Sequence, residues 1–372
     1  MKYTFLINSL TSGGAEKVLS ILANELVKKN NVEIIFLEKK EFYELDKRIK
    51  KTYLSNFNGE ENGIKKLIFI PILAWRLKNY IKNNNIKLIQ SHIFRANYVN
   101  VLAKLLGANH KTQLVTAGRV SRYKELGIIG KINLFLIKNL YSKADLLISK
   151  SKGMKVDIQK LFNFKNKHIV INNPYDIEKI EQLLRQKVEN FVFDNNKIYL
   201  ISIGRLIKLK RHNEVIEILP KLPDYVELII LGNGEEKENL QKLSKKLKIE
   251  NRVHFLGQVK NPYKYLVKSD IFISCSESEG FPNVLVEAMI CKTPIISSDC
   301  ISGPREILGD DEFGLLFEVG DKKKLLENIN LFLNNNQLKQ NYIKKAKQRS
   351  YDFSLSNIIK KYKKVLNENS NL

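Results

Sequence analysis

Along this chain, short solid apolar runs alternate with longer stretches in which apolar residues recur at helical spacing. Solid β-branched runs predict strands buried on both faces, and the longer spacing predicts amphipathic helices. Residues 3–10 predict a first strand, followed by a Gly-rich turn over 11–16. A helix comes next, with Ala15, Val18, Leu19, Leu22, Leu26 and Val27 on one side, and residues 32–37 form the second strand. The rhythm continues with strands at 86–90, 113–116, 145–149 and 168–171, each but the last followed by a helix, at 94–106, 128–141 and 152–162. Asn172, Asn173 and Pro174 break it and read as a hinge. After a polar connection over 178–196 the alternation starts again, with strands at 197–203, 227–231, 253–256, 270–275, 294–297 and 314–317, then helices at 322–334 and 337–349. Alternation of this kind predicts an α/β protein of two Rossmann-like, doubly wound domains, at 1–173 and 174–350. The segment 351–372 forms a last helix with Leu355, Ile358, Ile359, Tyr362 and Leu366 on one face.

The chain has 372 residues, enough for about two cores. Its three cysteines, Cys275, Cys291 and Cys300, lack paired spacing and read as reduced packing thiols. No secretory leader and no apolar run long enough to span a bilayer is visible, which points to the cytoplasm. The five histidines are isolated, so no metal site is expected. Charge changes the picture more. Of the net +24, residues 1–173 carry 31 Lys and Arg against 12 Asp and Glu, or +19, leaving +5 for the rest. Between Asn62 and Ala144 there are fifteen basic residues and one acidic residue, Glu125. Compositional bias would spread the excess evenly, so the first half is expected to meet something anionic. Segments 64–79 and 127–140 are apolar and bordered by lysines, the first with Trp75, which suits an interfacial membrane element. The alternative is a pair of core helices with snorkelling lysines.

The richest chemistry lies at 276–287. Glu279 and Glu287 flank seven residues, Gly280, Phe281, Pro282, Asn283, Val284, Leu285 and Val286, between a strand and a helix. Glu279 falls on the loop and Glu287 more than a turn into the helix. The first-turn amides over Phe281 to Val284 make an anion site. Carboxylates beside a phosphate make sense for a ligand built as sugar, diphosphate and ribose. Glu279 then takes the sugar hydroxyls, the amides take the phosphate and Glu287 takes the ribose. Arg205 and Lys210, just past a strand end, supply cations for the diphosphate. The turn with Gly13 and Gly14 either brings backbone close to a phosphate or sugar or is a simple tight turn.

The Glu-x7-Glu stretch, together with Gly204-Arg205-Leu206 and Lys210, Gly13-Gly14-Ala15-Glu16, Ser302-Gly303-Pro304-Arg305-Glu306 and Phe313-Gly314-Leu315-Leu316, resembles the family 4 glycosyltransferases. These pieces occur in order across both halves. The resemblance implies the GT-B fold, two domains facing a central cleft, with the last helix returning to the first domain. It also implies a retaining transfer from a nucleotide-sugar, with Glu279, Arg205 and Lys210 as catalytic residues. Gly14, Gly280, Phe281, Pro282, Asn283, Val284 and Glu287 would bind the donor, without metal or cofactor in the chemistry. Many members carry a His after the strand matching 113–116; here there is none, and Arg119 or His92 is the substitute, with Gly13 also on the sugar side. A closer likeness, over residues 9–17, 261–265 and 309–316, is to N-acetylgalactosamine transferases of bacterial lipid-linked oligosaccharide assembly. That implies UDP-GalNAc as UDP-sugar donor, an undecaprenyl-diphosphate-linked (polyprenyl-diphosphate) glycan as acceptor, and a peripheral place on the inner face of the cell membrane. A lipopolysaccharide or capsule transferase using UDP-GlcNAc, UDP-Glc or UDP-Gal is the alternative. A nucleic-acid-binding protein fits less well, because the lysines flank aliphatic segments rather than interleave with aromatics.

Overall fold

The structure is a computed structural model that describes residues 1–11 and 13–368. Ser12 of the Gly-rich turn and residues 369–372 of the expected terminal segment lie outside it. The chain divides into two units, one made of Met1–Tyr175 plus the chain from Leu355 on, the other of Asp176–Ser354. The first division therefore lies two residues past the expected hinge boundary, and the last helix belongs to the first unit.

In the first unit the elements are β1 (Lys2–Ile7), α1 (Gly14–Leu26), β2 (Asn31–Phe36), β3 (Lys50–Tyr53), α2 (Gly63–Ile68), α3 (Ile70–Asn83), β4 (Leu88–His92), α4 (Phe94–Leu105), β5 (Lys111–Val115), α5 (Gly127–Tyr141), β6 (Leu146–Ser149), α6 (Lys152–Phe162) and β7 (Lys167–Val170). The sheet runs β3-β2-β1-β4-β5-β6-β7, all parallel. Strand β3 was not expected, because its Lys50-Lys51-Thr52-Tyr53 is a polar edge strand without an apolar run. The expected 64–79 helix is two helices, α2 and α3, meeting at Phe69, where Pro71 in the first turn of α3 removes a donor. One sheet face is covered by α3, α4 and α5, with Leu73, Leu77, Val99 and Ile137 in its core. The other face is closed by α1 and the last helix, which bury Leu19, Leu22, Ile358, Tyr362 and Leu366 against Phe5 and Ile34.

In the second unit come α7 (Ile177–Leu183), β8 (Ile198–Ile203), α8 (His212–Ile218), β9 (Val226–Leu231), α9 (Lys237–Lys246), β10 (Val253–Gly257), α10 (Tyr263–Leu266), β11 (Ile271–Ser274), α11 (Asn283–Ile290), β12 (Ile295–Ser298), α12 (Pro304–Leu308), β13 (Leu315–Phe317), α13 (Lys322–Asn334) and α14 (Asn336–Ser350); α15 (Leu355–Glu368) is the last helix, in the first unit. The parallel sheet runs β10-β9-β8-β11-β12-β13. Helix α7 corrects the expected polar connection: Asp176 caps it through the Lys179 amide, and Ile177 and Ile180 are buried. In both sheets the order reverses at the first strand, β1 or β8. That leaves a crevice at its carboxyl end, beside β4 or β11, where open α/β sheets bind ligands.

Candidate active site

In the second unit the crevice is built from the loop after β8 and the loop after β11. Gly204 and Arg205 leave β8, a short 3-10 turn carries Lys210, and α8 begins at His212. The β8 loop is held down by the turn after β9. The Leu206 amide donates to the Asn233 carbonyl at 2.9 Å. Gly232 has φ +145°, and a Cβ there would lie 1.8 Å from the Gly204 carbonyl oxygen, so only glycine fits. Lys210 Nζ donates to Glu279 Oε1, joining the two loops. A backbone bond from the Glu277 amide to the Leu209 carbonyl, 2.9 Å, runs alongside. Arg205 extends from the same loop as Lys210 but is exposed, and among the described residues its side chain makes no ion pair.

The loop carrying Glu279 is fixed from below. Ser302 Oγ lies 2.8 Å from the Glu279 carbonyl and 3.1 Å from that of Gly280. Gly303, at φ +99°, would place a Cβ 2.4 Å from Pro282 Cδ. The Ser302-Gly303 pair thus acts as a support for residues 279–282. The sequence marks these two as motif residues without giving them a place in the site. Phe281 is buried against Phe353, ring centroids 5.7 Å apart. Pro282 stands at the N-cap of α11, and Asn283 and Val284 form the first turn. Glu287 is buried one turn on, with Tyr263 Oη 3.5 Å from its Oε1. Cys300 is buried close enough that burial, helped by Glu279, pushes its thiol up to about 12, so it is an inert packing thiol.

His212 carried no signal in the sequence. It is buried, with Nδ1 3.0 Å from Ser202 Oγ, and burial, with Lys210 nearby, lowers it to about 4. Arg211 beside it adopts φ +49° and pairs with the buried Glu214.

In the first unit, Gly13 is the N-cap of α1 and Gly14 its first residue. A Cβ on Gly13 would sit 2.3 Å from Glu16 Oε2, so the glycine makes room for that carboxylate, which also accepts from Thr11 Oγ1 at 2.9 Å. His92 is the last residue of β4, not a loop residue after it, and is buried with Nε2 3.2 Å from Gln90 Oε1. Burial, with Lys150 near, holds its imidazole well below the usual range. Lys150, just after β6, is buried too; its ammonium donates to Tyr362 of α15, and burial lowers it to about 7. Arg119 is held as a local tether. Its Nη2 donates to Ser121 Oγ at 3.0 Å and its Nε lies 3.7 Å from Asp157 Oδ1, whose carboxylate also caps the Val120 and Ser121 amides.

Two apolar surfaces also stand on the first unit. Ile64, Ile68, Ile72 and Trp75 are exposed on α2 and α3, and Ile128, Ile129, Ile132 and Phe135 on α5, Ile128 at 78%. Their opposite sides are in the core, and α4 packs against both α3 and α5. No helix among the described residues is long and apolar enough to cross a membrane.

The chain was compared with known proteins. Residues 12–179 match a family model described as Glycosyltransferase Family 4, and residues 185–349 one described as Glycosyl transferases group 1. A Campylobacter jejuni protein is 35% identical over 95% of this chain and 95% of its own length. It is named N-acetylgalactosamine-N,N'-diacetylbacillosaminyl-diphospho-undecaprenol 4-alpha-N-acetylgalactosaminyltransferase. A second Campylobacter jejuni alpha-1,4-N-acetyl-D-galactosaminyltransferase, named for a diNAcBac-PP-undecaprenol glycan, is 28% identical over 100% of this chain and 99% of its own. HepE of Anabaena superposes with a TM-score of 0.79 at 21% identity, covering 99% of this chain and 100% of that one. Sucrose-phosphate synthase of Thermosynechococcus elongatus gives 0.83 at 16%, covering 99% of both. The fold is GT-B, and with family models over both halves and a relative this similar along almost its entire length, the chain belongs to the family 4 glycosyltransferases and is a glycosyltransferase enzyme.

Proposed function

We propose that the protein transfers N-acetylgalactosamine from UDP-GalNAc, with retention, to an undecaprenyl-diphosphate-linked glycan at an anionic membrane face. The observation that carries the site assignment is the junction of Lys210 and Glu279, which brings a cation and a sugar-binding carboxylate together beside the first turn of α11. The names of the two Campylobacter jejuni relatives support the sugar and the acceptor.

In the reaction, the acceptor hydroxyl oxygen bonds to the anomeric carbon as the bond from that carbon to the diphosphate oxygen breaks. The electron pair leaves with UDP, and the hydroxyl proton passes to the departing phosphate oxygen on the same face. Arg205, Lys210 and the α11 amides stabilise the charge that develops on the leaving group. Glu279 orients the sugar hydroxyls and Glu287 the ribose. The exposed apolar surfaces of α2, α3 and α5, set in the basic first unit, rest on the lipid that carries the acceptor.

The test incubates the purified chain with a panel of UDP-sugars and polyprenyl-diphosphate glycans. Mass spectrometry reads the product and NMR its anomeric configuration. An added N-acetylhexosamine from UDP-GalNAc alone, in α linkage, is the expected result. Transfer only from UDP-GlcNAc, UDP-Glc or UDP-Gal would reassign the donor, and a β linkage would refute retention.

A further inference from the structure

Between the sheet of the first unit and α15 runs a buried chain of side-chain amides whose direction is set at one end. Gln113 Nε2 lies 3.0 Å from the Val365 carbonyl of α15. A carbonyl only accepts, so the Gln113 amide nitrogen must face it, which turns Gln113 Oε1 toward Gln90. Gln90 Nε2 donates to that oxygen at 2.8 Å, which turns Gln90 Oε1 toward His92 Nε2, 3.2 Å away. That last oxygen again only accepts, so the proton lies on His92 Nε2. Gln90, Gln113 and His92 are all buried, so reversing one amide would set like poles against each other without water to relieve them. Each such mismatch leaves a buried donor or acceptor without a partner, which folding does not tolerate cheaply.

The ring is also neutral, because burial and the neighbouring Lys150 disfavour its cation. A neutral ring with its proton on Nε2 has a bare Nδ1, and Nδ1 makes no hydrogen bond to a described residue. A separate observation marks the spot. Ile93, immediately after His92, sits at φ +72° and ψ 151°, a conformation that β-branched residues avoid. Backbone strain of this kind concentrates where function fixes a geometry. His92 pairs with Ile7 across β1 and β4, at the reversal of strand order.

We propose that Gln90 and Gln113 are positioning residues that hold His92 as its Nε2–H tautomer, leaving Nδ1 at the carboxyl end of β4 to accept a hydrogen bond from a hydroxyl of the acceptor glycan. The proton on Nε2 stands on the hydrogen-bond geometry and the bare Nδ1 on the burial of the ring, and only the identity of the hydroxyl rests on the transferase reading above.

The experiment labels histidine with 15N in the full chain and records long-range 1H–15N correlations at pH 7.5, assigning His92 by loss of its signals in His92→Gln. The expected spectrum has a protonated Nε2 and a bare Nδ1. A protonated Nδ1, an averaged pair or a doubly protonated ring in the wild-type chain overturns the proposal, whatever the variants do. In Gln113→Met the Gln90 amide is free to turn, so the two nitrogen signals should move toward the average. With them kcat/KM for the acceptor should fall about tenfold while KM for the donor holds. If the tautomer shifts and acceptor kcat/KM does not, the positioning role is refuted. Failure of the donor panel to give any transfer would instead strike the transferase reading and leave the wild-type tautomer result standing.

Discussion

Arg205 and Glu279 differ in what they would lose on substitution. Arg205 is exposed and unpaired among the described residues, so its truncation leaves no buried charge behind. Arg205→Ala is expected to lower kcat on the order of 10²-fold or more, as loss of a transition-state charge partner does. Its stability should stay within about 0.5 kcal/mol of the parent. Glu279→Gln removes the charge that Lys210 meets and should cut transfer similarly, with near-normal circular dichroism and urea midpoint. Full activity in either variant, read by UDP release, would remove that residue from the mechanism. At this scale the nearness of Lys210 and Glu279 was legible in the sequence, because motif residues on neighbouring loops announce themselves by type and order. Ser302 and Gly303 were visible as motif residues but not as supports, since a hydroxyl beneath two carbonyls is a fact of packing. Gln90 and Gln113 were invisible for the same reason: a glutamine in an apolar strand carries no mark of the partner it will meet.

Helix α5 turns one side to the core and the other to solvent. Ile137, Leu140 and Tyr141 are buried, while Ile128, Ile132 and Phe135 are exposed, with Lys131 and Lys138 beside them. The sequence left two readings open, core helix or interfacial element, because an apolar run with bordering lysines satisfies both; in the structure one side of α5 is core and the other is exposed apolar surface. Ile128→Asp and Phe135→Asp touch only the exposed face. Each should weaken co-sedimentation with anionic liposomes about ten- to hundredfold, from the loss of roughly 1.5–3 kcal/mol of apolar insertion. Activity on a soluble, short-chain acceptor should be retained. Unchanged liposome binding in the double variant would show that lipid does not cover this face. Among the elements missed were polar β3, and α7, whose two buried isoleucines are too few to set a period.

For the molecule as a whole, four of the five histidines are held below their usual range, His92 well below it and His110, His168 and His212 at about 4, in each case chiefly by burial. The unfolded chain binds these protons near pH 6.5, whereas in the folded chain His110, His168 and His212 bind theirs only near pH 4. Between those values the unfolded state holds more protons, so stability is complete above about pH 6.5 and is lost as pH falls toward 4. At pH 4 each fully buried ring costs about 3 kcal/mol, and half-buried His168 less because solvent screens it. Several such terms rival a typical total of roughly 5–15 kcal/mol, so chemical denaturation should show a steep loss between pH 6.5 and 4. A flat profile there would contradict the burial of these rings. The two-domain alternation was readable because parallel strands buried on both faces must be solidly apolar. Membership of α15 in the first unit followed only from the family resemblance; nothing in its own amphipathic face names a partner. That membership has a consequence for biosynthesis. Ile358, Ile359, Tyr362, Val365 and Leu366 complete the core around Phe5 and Ile34, yet they are the last part of the core to be translated. The second unit, being contiguous, can finish folding on the ribosome first. The amino-terminal half must wait, its hydrophobic underside open, until α15 has been made, which makes the nascent chain a client for chaperones and a stop codon before α15 as harmful as one far upstream.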